Sequence, residues 1–517
     1  MGIPKDCEIN IESENIEDIV LRNCKIISSK NDQVKRADII IENGTINEIV
    51  HNRGHSRSTN NGAFEIDLNG AYVMTSFIDA HMHLLQWSTS KEAVDLGGCT
   101  SKKSVKKALG DVIDGKRNNL YFEMSGVLFG VDMDESKFEN KRDMTMDRQF
   151  LDTISEDHPI IIRRICGHKV YLNTLALDVL TDLEEPSNDG ILLEKEAMRI
   201  SWGPNLKPTE TGKLIRTGIG RLYRMGVTGG TEIIPVSKYN VFREAYSLVP
   251  QKFKLTLSID MENSEERSVR GEHHNSWERT HRRSNDPEVV FMKMFMDGSI
   301  GARTASFSED YTDLPKVDPI ISIEALKEQL HLSEELGLVP MVHAIGDRAV
   351  RRAVEHLTDL DGIFRIEHFE STSSGILKML SGTQGAVCMQ PNFARNWGMK
   401  NGMYERALGK KYQNLNAFGD IFHSNIHCCF GTDMMPPGPI YAIKGSVSHS
   451  NPIQRIPLLR SIEAFTDDSF KYSLLGDRKG ISEGESPDLI AVKKDLSKVL
   501  ITISDGSMVY MDQQMKV

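Results

Sequence analysis

The chain has 517 residues, of which 39% are hydrophobic and 26% charged, and its formal net charge is −11. The length suggests more than one hydrophobic core, and the composition is typical of a globular protein. The negative net charge disfavours nucleic acid as a partner, because phosphate binding needs a concentrated basic face. No apolar run approaches the ~20 residues that span a bilayer, and no secretory leader is evident, so we expect a cytoplasmic protein without membrane contact. Seven cysteines without Cys-x-x-Cys spacing disfavour a disulfide scaffold and a thiolate zinc site, and we expect them to be reduced and mostly buried.

Residues 16–73 contain short alternating apolar runs without helical periodicity, the pattern of β-strands. An Asn-Gly pair at 43–44 separates two of these runs and is the strongest short-range signal for a β-hairpin. A matching pattern returns at 488–503. Because strand edges left open by the first segment can be completed by the last, we predict a small β-sandwich domain built from both chain termini, residues 1–74 and 476–517.

The apolar run at 77–80 ends in two histidines one residue apart, His81 and His83. Side chains alternate faces along a strand, so both imidazoles should point the same way. Two imidazoles that face one point suit a metal such as zinc, nickel or iron. The same spacing also occurs by chance on protein surfaces, and the rest of the chain must decide between these alternatives.

The long middle segment alternates short apolar runs with helical patterns, which is typical of repeated βα units. Eight such runs, counting the one that ends at His81, predict an α/β fold with a (β/α)8 barrel, similar to a TIM barrel, over residues 75–475. The gap at about 118–217 is too long for one crossover, and we predict an insertion that caps the barrel mouth. The other runs are 226–233, 253–259, 289–297, 338–343, 363–368, 385–390 and 426–433, and two of the helical patterns are 323–336 and 347–357.

Residue types that bind metals recur at the ends of these runs: His343 ends the fifth, His368 the sixth and Asp433 the eighth. A barrel brings the carboxyl ends of its strands to one face, where chemistry is usually located. Asp433 could instead cap a helix or turn before residues 434–437. His427, earlier in the same run, is predicted to be a core histidine.

Lys293 is isolated inside the apolar run 289–296. Burying a free ammonium is unfavourable unless the group is paired or neutralised. Reaction with CO₂ would remove this problem, because a carbamate is an anion whose two oxygens can bridge two cations. The alternative is an ion pair with a neighbouring acid such as Asp297.

Short motifs are distributed over nearly the whole chain. They are 77–83, Gly167-His168, 173–177, 293–305 with its Asp-Gly-Ser and Arg-Thr-Ala elements, 343–350, 366–368, 390–391, 431–433 and 484–489. The set resembles the amidohydrolase superfamily, specifically amidohydrolase family 3, the YtcJ-like metal-dependent hydrolases related to N-substituted formamide deformylase. Two positions depart from the pattern: Thr75-Ser76 replaces the common Pro-Gly, and Thr432 replaces the usual serine.

The resemblance implies a binuclear metal site, with two zinc ions expected as the divalent cofactors. His81 and His83 would bind the more buried ion. His343 and His368 would bind the second ion, and a carboxylated Lys293 would bridge the two.

Asp433 would, on the same resemblance, ligate the first ion and act as the general base. Metal binding lowers the pKa of water from about 15.7 toward about 7. The resulting metal-bound hydroxide would attack an amide-like carbon, and Asp433 would pass its proton to the leaving nitrogen. The expected activity is metal-dependent hydrolysis of a C–N bond in an amide, formamide or cyclic amide.

Candidate contacts for a small-molecule substrate are His168, Arg303 and Gln390. His168 and Arg303 could instead tie the insertion to the barrel, and a homodimer is only the generic expectation. Two other functions compete: a deaminase of the same superfamily, which usually works with one metal and an unmodified Lys293, and a catalytically silent regulatory or binding protein on the same fold. The intact set of ligands disfavours the silent protein, and resemblance of fold does not identify the substrate.

Overall fold

The computed structural model of the chain describes residues 18–27, 34–51, 63–140, 146–165, 167, 169–179, 189–193, 196–197, 200, 206–249, 252–261, 287–476, 478 and 480–515. The chain forms two units, one comprising Met1–His83, Ile219–Tyr239 and Pro250–Val517 and the other Leu84–Gly218 and Asn240–Val249. Among the described helices, none has the length and apolar character that a membrane crossing requires.

The secondary-structure elements alternate along most of the chain. The strands are β1 (Ile19–Ile27), β2 (Val34–Glu42), β3 (Thr45–His51), β4 (Phe64–Asp67), β5 (Tyr72–Thr75), β6 (Phe77–Met82), β7 (Val94–Asp95), β8 (Leu128–Met133), β9 (Ile160–Arg164), β10 (Lys169–Leu172), β11 (Ile191–Leu193), β12 (Val227–Pro235), β13 (Lys254–Asp260), β14 (Glu288–Phe295), β15 (Val339–Ala344), β16 (Arg365–His368), β17 (Ala386–Met389), β18 (His427–Phe430), β19 (Leu489–Val492), β20 (Val499–Ser504) and β21 (Ser507–Met511). The α-helices are α1 (Leu84–Glu92), α2 (Lys102–Ile113), α3 (Leu120–Ser125), α4 (Arg148–Asp152), α5 (Thr174–Val179), α6 (Pro208–Arg224), α7 (Tyr239–Ser247), α8 (Ile323–Glu335), α9 (Asp347–Leu357), α10 (Ser374–Leu380), α11 (Pro391–Trp397), α12 (Met403–Leu408), α13 (Phe418–His423), α14 (Pro439–Val447), α15 (Leu458–Phe465) and α16 (Asp467–Tyr472).

Strands from both chain ends form one sheet in the order β21-β20-β19-β5-β1-β2-β3, with β4 also paired to β1. The hairpin between β2 and β3 turns at Asn43 and Gly44, both with positive φ, as the Asn-Gly signal predicts. Strand β19 joins the C-terminal part to the N-terminal part by antiparallel pairing of Ile490 with Met74. Apolar residues from both ends pack in one cluster that includes Ile41 and Ile501. The prediction that strands from both termini combine is confirmed, and they do so in one sheet.

The barrel sheet has the order β18-β17-β16-β15-β14-β13-β12-β6, and neighbouring strands pair in parallel. All eight runs predicted as barrel strands are strands in this sheet, and the helices predicted at 323–336 and 347–357 are α8 and α9. The segment after β18 lies beside the end of β6. There the backbone N–H of Asp433 donates to the carbonyl of His81 at 2.8 Å. A side chain at Gly431 would place its Cβ 2.5 Å from the backbone nitrogen of His81, so only glycine permits this approach.

The second unit contains the sheet β11-β10-β9-β8-β7, and the predicted insertion at about 118–217 lies within this unit. Strand β9 is apolar on both faces: Ile160 and Ile162 pack in one hydrophobic cluster and Ile161 packs in another. Such continuous apolar strands are buried on both sides of a sheet.

Two minor predictions have different outcomes. The five described cysteines are free thiols and all are buried, which confirms the expectation for that part of the chain. His427 is exposed at the beginning of β18, so the prediction of a core histidine was wrong. Its position at the strand's first residue places it at the end of the barrel opposite Asp433, where the ring lies beside Tyr472 with centroids 5.4 Å apart.

Candidate metal centre

His81 and His83 face the Asp433 carboxylate from the end of β6, as strand alternation predicts. Their Nε2 atoms lie 3.6 and 3.0 Å from Oδ1 of Asp433. Nδ1 of His81 contacts the Glu367 carboxylate, and Nδ1 of His83 lies 3.3 Å from the carbonyl oxygen of Ile233. These oxygens can only accept, so in a neutral imidazole each Nδ1 carries the proton and each Nε2 presents a lone pair.

Two nitrogen lone pairs and a carboxylate oxygen therefore converge, an arrangement that a cation stabilises. A proton on Nε2 of His83, hydrogen-bonded to Asp433, can occupy the same position as the cation. Burial alone would lower the pKa of His83, but the hydrogen bond with Asp433 and its negative charge outweigh burial and raise that pKa. For Asp433, burial would raise the pKa, but the hydrogen bond from His83 and the positive charge of that ring when protonated outweigh burial and hold the pKa of Asp433 below its usual value.

His343 and His368 lie beside the first pair of histidines. The ring of His368 is centred 4.8 Å from that of His81 and 4.4 Å from that of His343. Nδ1 of His368 is buried and has no hydrogen-bond partner among the described residues. Ligand atoms of His81, His368 and Asp433 all lie within 4.8 Å of one another. An orphaned ring nitrogen next to this set fits a metal ligand, because buried polar atoms otherwise require a partner.

Burial keeps these imidazoles in the neutral form that binds metals. It lowers the pKa of His343 to about 3, with a smaller effect of the Lys293 charge. Burial also lowers the pKa of His81 and of His368 well below the usual range. His81, His343 and His368 are therefore available as nitrogen ligands at neutral pH.

Lys293 is 3% exposed in the interior of the barrel. Its Nζ lies 5.0 Å from the centre of the Phe295 ring. Burial lowers the pKa of Lys293, and the negative charges of Glu367 and Asp433 offset this only in part. A depressed pKa favours the neutral amine, the form that can react with CO₂.

Asp297, the acid considered as a partner for Lys293, is engaged elsewhere. Its Oδ2 accepts the backbone N–H groups of Ser306 and Gly346 at 2.8 Å each, and its Oδ1 accepts that of Ile345 at 3.0 Å. Burial raises the pKa of Asp297 to about 7. Its carboxylate thus ties the loop after β14 to the loop that follows His343, and an ion pair with Lys293 does not form.

Replacing Asp297 by alanine should lower the free energy of unfolding by about 3 kcal/mol, since each buried N–H left without a partner costs roughly 1–3 kcal/mol. Chemical denaturation of the metal-free protein measures this difference. Asp318→Ala is the control, because Asp318 is 84% exposed in its pair with Arg348 and should matter by less than about 1 kcal/mol. Equal stability of the two variants would contradict the assigned role of Asp297.

Two charged residues that sequence reasoning missed lie behind His81. Glu367 is fully buried and contacts Nδ1 of His81. Arg365, also fully buried, donates from Nε and Nη2 to the two oxygens of Glu367 at 2.8 and 3.1 Å. It also donates to the carbonyl of Ala80 at 2.6 Å. The alternation of Arg365 and Glu367 on one face of an interior strand was the signal available in the sequence.

The turn that carries Asp433 has an unusual backbone. Asp433 and Met434 both have positive φ, 53° and 56°, which costs roughly 1–2 kcal/mol per residue outside glycine. The backbone N–H of Thr432 donates to Asp79 at 2.8 Å, and the Thr432 hydroxyl donates to the same carboxylate. Helix α14 is instead preceded by Gly438, so Asp433 is not a helix cap. Strain of this kind persists where surrounding contacts over-determine it, often at functional sites.

The three candidate substrate contacts differ in their surroundings. Gln390 is buried at the end of β17, and its Oε1 has no partner among the described residues. Arg303 forms a bidentate pair with Asp313, with two N–O distances of 2.9 Å, and also donates to the carbonyl of Ile300. His168 lies outside the described residues. Nε2 of Gln390 donates to the carbonyl of Cys388 within the barrel. The hydrogen-bond partners of Arg303 named above all lie within its own loop.

Known proteins are similar to this chain over most of its length. Residues 65–510 match the model of the amidohydrolase family. A Bacillus subtilis (strain 168) protein named "Putative amidohydrolase YtcJ" is 25% identical over 498 residues, which cover 86% of this chain and 90% of that protein. "Protein LONG AFTER FAR-RED 3" of Arabidopsis thaliana is 22% identical over 569 residues, 96% of this chain and 92% of that protein. The crystal structure of an uncharacterized metal-dependent hydrolase from Pyrococcus furiosus has a TM-score of 0.76 at 23% identity, covering 93% of this chain and 99% of that one, which shows a shared fold.

Proposed function

This chain belongs to the amidohydrolase family, and from that premise we propose that it is a metal-dependent hydrolase of a C–N bond in a small amide, formamide or cyclic amide. The observation that carries the proposal is the convergence of the His81 and His83 Nε2 atoms on Asp433. Because both Nδ1 protons are engaged by acceptors, this arrangement suits a bound cation.

We assign the ligands as follows. His81, His83 and Asp433 would hold one divalent ion, for which zinc is the expected element. His343 and His368 would hold a second, and the orphaned Nδ1 of His368 supports its inclusion. Lys293, as a carbamate, would supply the oxygen ligands shared by the two ions.

The metal, when bound, supplies acidification of water and polarisation of the substrate carbonyl. The chain supplies the proton transfers. Asp433 has a lowered pKa and is therefore ionised at neutral pH, as a general base must be. After accepting a proton at its carboxylate, Asp433 returns it to the leaving nitrogen, so that the acid and the amine separate.

A panel assay tests this proposal. Protein loaded with zinc, manganese or nickel should release an amine from formamides, linear amides or cyclic amides, and chelation should remove the activity until metal is restored. Release of ammonia from amino-substituted substrates instead would indicate the competing deaminase. A metal-loaded protein inert toward both panels would support a silent binding protein.

The number of metal ions bound per chain distinguishes the proposed hydrolase from the competing deaminase. A binuclear hydrolase should bind two ions per chain and show a carbamate signal by ¹³C NMR after incubation with labelled CO₂. Lys293→Met should remove that signal and lower the count, whereas Lys400→Met, at an exposed position, should change neither. One ion per chain with an unmodified Lys293 would favour the deaminase.

A further inference from the structure

Helix α11 contacts both halves of the candidate centre through two consecutive residues. The ring of Phe393 stacks on that of His368, with centroids 6.0 Å apart and planes 10° apart. Nδ2 of Asn392 donates to the carbonyl oxygens of Thr432 at 2.8 Å and of Met435 at 3.0 Å. One helix therefore touches a candidate ligand on one strand and the turn that carries Asp433 on another.

The orientation of the Asn392 amide follows from its partners. Both are carbonyl oxygens, which can only accept, so the atom that faces them is the nitrogen. Asn392 is fully buried, and its Oδ1 has no partner among the described residues. Water cannot readily take over the two donated bonds at such a position, and the side chain is specialised as a double donor to this turn.

The two acceptors bracket the strained part of the turn. The Thr432 carbonyl directly precedes Asp433, and the Met435 carbonyl follows Met434, the other residue with positive φ. Asp79 holds the turn from the opposite direction, through the N–H and hydroxyl of Thr432. Without Asn392 the Thr432 carbonyl would lose its side-chain donor, and the Met435 carbonyl would keep the donor from the half-buried Asn396.

We propose that Asn392 is a positioning residue, which holds this turn in its left-handed conformation and so directs the Asp433 carboxylate toward His81 and His83. The inference rests on the proposed function for the role of Asp433. Displacement of a ligand by a fraction of its bond length is sufficient to weaken a metal site, and removal of such supporting groups typically lowers metal affinity or activity by about 10–100-fold.

The test compares two asparagines on α11. Asn392→Leu removes both donated bonds and keeps the same branched arrangement of heavy atoms. Asn396→Leu is the matched control, because Asn396 lies one turn later, is half-buried, and donates only to Met435, at 2.8 Å. We expect Asn392→Leu to lower kcat and metal affinity by about 10–100-fold with KM within about threefold, and Asn396→Leu to change each by less than about threefold.

Hydrogen–deuterium exchange of the metal-free protein gives a readout that depends on neither metal nor substrate. The peptide spanning 430–437 should exchange faster in Asn392→Leu than in the natural protein or in Asn396→Leu. In an Asp433→Ala background, Asn392→Leu should cause no further loss of metal affinity, since its effect passes through Asp433. Unchanged exchange, or an equal loss of affinity in that background, would overturn the inference.

Failure of the proposed function would look different. If no amide is cleaved but the exchange and affinity results hold, the hydrolase assignment fails and the role of Asn392 stands. If Asn392→Leu does not fold, Asn392→Ser, which keeps one donor, should give the same direction of change in both measurements with a smaller size.

Discussion

Asp433→Asn should lower kcat for amide hydrolysis by about 10²- to 10⁴-fold, the contribution that a positioned general base usually makes. Asparagine has the same shape but cannot accept a proton. It is also among the few residues that tolerate positive φ, so the turn at φ 53° should persist. The change therefore isolates the carboxylate chemistry from the backbone conformation. Steady-state kinetics at saturating metal measure the loss.

Asp505 offers a matched control for this substitution. It is an exposed aspartate with a φ of 46°, in the turn between β20 and β21. Asp505→Asn repeats the chemical change in a similar backbone conformation far along the chain from the candidate ligands, and it should leave kcat within about twofold. Retention of full activity in Asp433→Asn with metal bound would remove Asp433 from the mechanism.

The barrel could be predicted because each of its strands is specified by neighbouring residues in the sequence. Each strand is a short apolar run, and the end of each run marks the face where His81, His343, His368 and Asp433 lie. The two departures from the family pattern are explained by contacts within the fold. The hydroxyl of Ser76, in place of glycine, is hydrogen-bonded to that of Thr228 at 2.6 Å. The hydroxyl of Thr432 contacts Asp79, as described above.

The supporting residues could not be predicted, because their partners lie on other strands. Glu367 was visible as part of a motif, but its contact with His81 joins positions 286 residues apart. Asn392 follows a recognised Gln-Pro pair, yet its role depends on a turn 40 residues later. Asp297 was considered as a partner for Lys293, and only the fold shows that three backbone N–H groups occupy it. Long-range hydrogen bonding of buried polar groups is specified by the packed structure rather than by spacing.

Glu367→Leu should be among the most destabilising substitutions in the barrel, because it leaves Arg365 buried and unpaired. Loss of one partner of a buried ion pair costs roughly 3–5 kcal/mol. Arg365 keeps its bonds to the carbonyls of Ala80 and Tyr472, but neither carries a full negative charge. Chemical denaturation of the metal-free protein should show the decrease in unfolding free energy.

The double variant Glu367→Leu/Arg365→Met separates stability from function. Replacing a whole buried ion pair by apolar side chains is often neutral or stabilising, so most of the lost unfolding free energy should return. His81 would still lack the carboxylate that fixes its Nδ1 proton and ring orientation, and metal affinity should remain about 10–100-fold below that of the natural protein. If affinity returned together with stability, Glu367 would serve only to neutralise Arg365. Persistent loss of affinity in a stable protein would show that Glu367 orients His81, because the two effects of the carboxylate can then be assigned to different partners.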